Sequence, residues 1–142
     1  MGRFPSAAHL ASWAGLCPGN NESGGRQRAG RTRKGNAWLR AALVASAQAA
    51  VRTKGAYLAA QYHRIAARRG AKKAIIAVAH TLLTIAYHVI ARREPYHERG
   101  ADYFDRQKPA ATANRLVRRL RQLGFAVTID VQPPAGAALV AT

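Results

Sequence analysis

The chain has 142 residues, with 23 Lys and Arg against 6 Asp and Glu, a formal charge of +17, and 49% hydrophobic residues. That apolar share closes one core, which excludes a disordered basic tail, while the length excludes two full-sized domains. A cationic excess of this size makes a polyanion the expected partner, because each cation laid on a phosphate releases a condensed counterion. The single cysteine, Cys17, excludes an internal disulfide and a four-thiolate zinc site.

In chain order, Ser6 to Trp13 reads as a short helix entered through Pro5 and capped by Ser6, with Leu10 and Trp13 three apart on one face. The run Ala14 to Gly19 must then turn the chain. Residues 20 to 36 mix Gly24, Gly25, Gly30 and Gly35 with Arg26, Arg28, Arg31, Arg33 and Lys34, so they cannot bury a face and read as an exposed basic loop. Asn36 is placed to cap a helix over 37 to 53, where Leu39, Leu43, Ala47, Ala50 and Val51 recur at helical spacing and Arg40 projects elsewhere. A further helix is expected over 56 to 69, with Tyr57, Leu58, Tyr62 and Ile65 on its apolar face and Arg64, Arg68 and Arg69 toward its end.

The pattern continues with a long helix over about 72 to 93, whose broad apolar face is expected to hold Ile75, Ile76, Leu82, Leu83, Ala86 and Ile90, widened by Val78, Ile85 and Val89. Its apolar stretch, 74 to 91, has the length of a membrane span, but His80, Thr81, Thr84, Tyr87 and His88 interrupt it, so it reads as the central buried helix and no membrane partner is expected. Glu94, Glu98, Asp102 and Asp105, with Pro95, Gly100 and Pro109, form an acidic boundary loop. Beyond it, residues 110 to 123 make a basic amphipathic helix, with Leu116, Val117, Leu120 and Leu123 opposing Arg115, Arg118, Arg119 and Arg121. Phe125, Val127, Ile129 and Val131 then alternate like a short strand. The expected fold is therefore mainly α, a small helical domain with a helix-hairpin-like N-terminal element, a basic Gly/Arg loop, a long central helix, and a C-terminal amphipathic helix plus short strand. Residues 1 to 93 hold 16 basic residues against one acid, Glu22, which gives +15 and places the charge in the first two thirds.

Little of this chain suits metal chemistry. No two of the five histidines stand four apart on one helix, and His80 and His88 lie two turns apart, about 12 Å along the axis. The acids are too few for a two-metal nuclease site, so no metal site is expected. Among the four serines, Ser6 reads as a cap and Ser12 and Ser46 fall in helices, which leaves Ser23 in the exposed loop. Gly24 and Gly25 would let a phosphate approach its hydroxyl, and the five cations from Arg26 to Lys34 would neutralise the oxyanion of a phosphodiester under attack. No base is evident beside it unless the loop folds Glu22 back. From spacing alone a serine beside two glycines is most often an ordinary turn residue, and the arginine run reads as a solvated loop that grips phosphate, which is compatible with catalysis.

Phe4, the run from Leu10 to Pro18, Glu22-Ser23-Gly24-Gly25, Gly30, Lys34-Gly35-Asn36 and Leu39-Arg40 carry a resemblance. It continues through Tyr57 and the long helix to Tyr103-Phe104-Asp105. Together they resemble the C-terminal transposase domain of the DEDD insertion-sequence transposases, the "IS one-ten" group of bridge-RNA-guided serine recombinases. The resemblance implies DNA transposition, with Ser23 as the nucleophile that becomes linked to DNA phosphate and Gly24, Lys34, Asn36 and Arg40 on the motif around it; with the loop's Arg26, Arg28, Arg31 and Arg33, read from its basic composition, Lys34, Asn36 and Arg40 are the expected nucleic-acid-binding residues. It also implies DNA and a guide RNA as partners, a homo-oligomer, a cytoplasmic, nucleoid-associated location, and Mg²⁺ held by a RuvC-like domain with four acids. That acidic domain has no counterpart in the sequence, so the chain reads as a truncated copy, inactive alone. On this reading residues 1–107 are the transposase domain, 108–131 the basic helix and strand, and 132–142 a flexible tail. A noncatalytic basic module for DNA or RNA is the alternative, and a membrane-active cationic helical protein a third.

Overall fold

In a computed structural model the described residues are 2–18, 22–27, 30, 32 and 34–130. They form helices α1 (Ala7–Trp13), α2 (Ala37–Ala50), α3 (Tyr57–Arg69), α4 (Ala71–Arg92), α5 (Tyr103–Gln107) and α6 (Pro109–Gln122), and two short strands, β1 (Glu22–Ser23) and β2 (Arg26–Gln27). The protein is mainly helical, as its periodicity implies, and it divides into two compact units, Met1–Phe104 and Asp105–Thr142.

The first unit is built on α4, which packs against α1, α2 and α3. Ser6 caps α1 by accepting the backbone N–H of His9 at 3.4 Å, and Asn36 caps α2 by accepting that of Leu39 at 2.9 Å, as the sequence predicts. Gly70 both ends α3 and begins α4. The core gathers Leu10, Ala11, Ala14 and Leu16 from α1 and its following turn, Ala47 from α2, Leu58 and Ala59 from α3, and Ala74, Val78, Ala79 and Leu83 from α4. Most of these residues are alanines, and small side chains let helix backbones approach closely enough to exclude water with little volume to fill. Tyr87 donates its hydroxyl to the Phe4 carbonyl at 3.0 Å, which pins the segment ahead of α1 onto α4.

The central helix buries Val78 and Leu83 as expected, but differs in which residues join them at the bottom of the face. Its innermost stripe runs through Ala74, Val78, Ala79 and Leu83; Ile75, Ile76, Leu82 and Ile85 flank it half-buried, while Ala86 and Ile90 are exposed. With three helices on one rod, the closest approaches fall to the smaller residues and the isoleucines fill the edges. By length and composition α4 could also cross a bilayer; its packing against three helices is what a core helix makes.

Two other expectations are corrected. The acidic loop contains a short helix, α5, and the alternating segment forms no strand over 125–130, since among the described residues nothing pairs with it and a lone strand leaves its ladder groups unsatisfied. Val131 lies outside the described residues. In the second unit α6 starts with Pro109 in its first turn and carries the predicted basic amphipathic pattern, with Leu116, Leu120 and Leu123 all exposed.

Candidate nucleic-acid interface

Residues 22–27 fold as a hairpin rather than an irregular loop. Glu22 pairs with Gln27 and Ser23 with Arg26 in an antiparallel register. Gly24 and Gly25 form the two-residue connection with φ of +58° and +70°, the paired positive values that a twisted two-residue hairpin requires and that side chains resist. A Cβ at either position would meet nothing within 4 Å, so the turn is open to an approaching group. Arg26, opposite Ser23, is exposed. Further out, Pro18 and Thr32 form an antiparallel bridge that closes the base of this excursion.

The excursion returns to the helices through a tight junction. A Cβ on Gly35 would stand 2.3 Å from the backbone nitrogen of Gly15 and 2.4 Å from the Ala14 carbonyl carbon, so the two backbones are in direct contact and only glycine fits. Arg40 reinforces the contact by donating from Nη1 to the Gly15 carbonyl at 3.0 Å. Lys34 and Asn36 flank Gly35 and are exposed, although the Asn36 side-chain oxygen is engaged in capping α2. Of the residues assigned from sequence, the structure thus brings Lys34, Asn36 and Arg40 to one junction and sets Arg26 opposite Ser23 in the hairpin; Arg28, Arg31 and Arg33 lie outside the described residues.

Sequence reasoning missed a second group. The Tyr57 ring stacks on Phe104 with centroids 5.3 Å apart and meets Tyr103 edge-on at 5.1 Å. The Arg64 guanidinium lies over Phe104 at 5.2 Å, and Arg99 lies over Tyr103 at 5.0 Å. Burial is the largest cause that raises the Tyr57 phenol above its ordinary pKa, with the nearby Arg99 cation opposing it. Glu98 accepts hydrogen bonds from the backbone N–H of Tyr57 and of Gly100 and from the Tyr96 hydroxyl, and the first of these does most to hold its carboxyl below the usual range. Trp38 was also missed; its position off the Leu39, Leu43, Ala47 stripe was the available signal, and it is 87% exposed.

The second unit adds its own basic surface. Asn114, Val117, Arg118, Arg121, Gln122 and Ile129 line an open groove of about 530 Å³ along α6. Asp105 accepts from the Thr112 hydroxyl and pairs with Arg115 at 3.5 Å, an exposed contact that contributes little. Among the described residues no three His, Cys, Asp or Glu side chains gather into a metal-binding group.

Arg26 in the hairpin and Lys34 at the junction are exposed cations. Residues 1–63 match the family model described as Transposase IS116/IS110/IS902 family, a stretch that contains the hairpin, the Gly35 junction and α2. The chain is similar to that family over this stretch, 63 of its 142 residues. No curated protein and no solved structure matches the chain.

Proposed function

We propose that the chain binds DNA through its basic first unit and takes part in transposition by serine attack on a DNA phosphodiester, with Ser23 as nucleophile. The observation that carries this reading is the family match over residues 1–63, because that stretch holds Ser23, its two-glycine turn and the cations from Arg26 to Lys34. In the attack, the Ser23 Oγ–phosphorus bond forms as the bond from phosphorus to one sugar oxygen breaks. The serine proton passes to a base, and the departing sugar oxygen is protonated or held as an alkoxide for the return step. Attack by a sugar hydroxyl on the phosphoserine bond then reseals DNA and frees the serine, with no net loss of phosphodiester energy.

The turn geometry suits this use, since open glycine backbone admits a phosphate, and Arg26 supplies positive charge opposite the serine's own position in the hairpin. Gly35, Asn36 and Arg40 act by fixing the junction from which the hairpin projects. The described residues offer no carboxylate set for Mg²⁺, so no step is routed through a metal on this chain. On this reading the metal-binding acids come from a separate RuvC-like domain, and a guide RNA and a homo-oligomer complete the assembly in the nucleoid.

The test is to mix the purified chain with DNA, Mg²⁺ and a RuvC-like domain of a family member, and to look for a covalent protein–DNA adduct on a denaturing gel. Ser23→Ala is expected to keep DNA binding and lose the adduct, and the chain alone to recombine nothing. An adduct that survives Ser23→Ala, or strand exchange by the chain without added protein, overturns the reading.

A further inference from the structure

Among the large apolar side chains of the described residues Trp38 is the most exposed, and an indole in water is the kind of surface that a partner covers. The backbone that carries it is not loose. Trp38 sits in the first turn of α2, one residue from the position where Asn36 caps Leu39, three from the Gly35 contact with Ala14 and Gly15, and two from the anchored Arg40. An aromatic ring presented from a fixed turn loses little freedom when something lies against it. Trp13 makes the contrast, because its ring already rests on Phe4 with centroids 5.5 Å apart, whereas among the described residues no ring lies against Trp38.

The charge of the segment that leads into Trp38 selects the occupant. Lys34, exposed, is four residues away, Arg40 belongs to the same junction, and Glu22 is the only acid in residues 1 to 93. A second copy of the chain would bring the same positive field toward itself. A partner that combines a flat aromatic face with negative charge, and so satisfies both the ring and its cations, is a nucleotide. Bases inside an intact duplex are already stacked, so the accessible one is unpaired or levered from its neighbour.

We propose that Trp38 is a stacking platform for an unpaired DNA base whose strand lies with a phosphate on Lys34. This rests on the DNA-binding reading above and extends it to a preference for opened over intact duplex.

The experiment uses the full chain carrying Trp13→Phe, which leaves Trp38 as its only tryptophan. Oligothymidylate is expected to quench Trp38 fluorescence to saturation, and a blunt duplex to quench it far less. Trp38→Ala, with its fold checked by circular dichroism, is expected to weaken oligothymidylate binding about 5- to 150-fold, which is the 1–3 kcal/mol of one stacked base, with the salt slope and duplex affinity unchanged. Oligothymidylate binding that is tight, salt-dependent and indifferent to Trp38→Ala overturns the platform and leaves the DNA-binding reading standing. Failure to bind either DNA overturns both. A dimer that Trp38→Ala dissociates, or a Trp38 emission shift with anionic vesicles and none with DNA, overturns the platform by naming another occupant.

Discussion

The carboxylate of Glu98 accepts the backbone N–H of Tyr57, the first residue of α3, at 2.8 Å across 41 positions of sequence. Ala56, at the cap position, has no side chain to do this, so the acidic loop caps the helix from a distance. The same oxygen accepts from Gly100, and the packing of Tyr103 and Phe104 on Tyr57 holds the loop in place.

Glu98→Ala is therefore expected to lower stability by about 0.5–1 kcal/mol, at the lower end for a helix cap because the group is exposed. The pH dependence has a defined sign. The folded-state pKa of Glu98 lies below its ordinary 4.5, so its contribution is present in full above that value and is lost as pH falls through the folded-state pKa. Thermal melts from pH 7 down to pH 3, compared between wild type and Glu98→Gln, should converge at the acid end.

Gly35→Ala is expected to be the most damaging single methyl addition in the first unit. Its Cβ would overlap backbone atoms of Ala14 and Gly15, which have no rotamer to escape into, and the cost should exceed about 2 kcal/mol. Denaturant melts check this, with Gly24→Ala as the comparison, a position where strain comes from φ and not from crowding.

Arg40→Ala removes the donor to the Gly15 carbonyl and should cost about 1–2 kcal/mol. Because Arg40 holds the junction, DNA affinity measured well below the melting temperature should fall less for Arg40→Ala than for Arg26→Ala. The reverse order in a titration would make Arg40 a direct phosphate contact.

Arg26→Ala and Lys34→Ala should each weaken binding about equally for all DNA sequences and reduce the slope of log K against log salt by about 1. Anisotropy titrations at several salt concentrations measure this, and an unchanged slope would remove that side chain from the interface.

The helices were legible because their signals are local: a cap at Ser6 or Asn36 followed by apolar residues at helical spacing. The hairpin is written as plainly, in two glycines between two short arms, but the arginines around it give the segment the composition of a loop. In the inner stripe of α4, Val78 and Leu83 were legible and Ala74 and Ala79 were not, since hydrophobicity ranks isoleucine above alanine while close packing of three helices ranks them the other way. The Glu98 cap was beyond reach in principle, as nothing near Tyr57 announces a partner on another segment. The same holds for the candidate site. Ser23 and its cations could be named from composition and resemblance, whereas the bond that ties Arg40 to Gly15 exists only once the chain has folded.

The bridge between Pro18 and Thr32 has a consequence for how such a chain can diversify. Leu16 precedes it, Gly35 follows it, and no core residue of the helical unit comes from the segment it closes off, among those described. Among the described residues, the core of the bundle is therefore supplied outside that clasp. Inside the clasp the two turn glycines are held by their φ, whereas exposed Arg26 can be exchanged with little penalty in stability, as a tool head can be changed on a fixed handle.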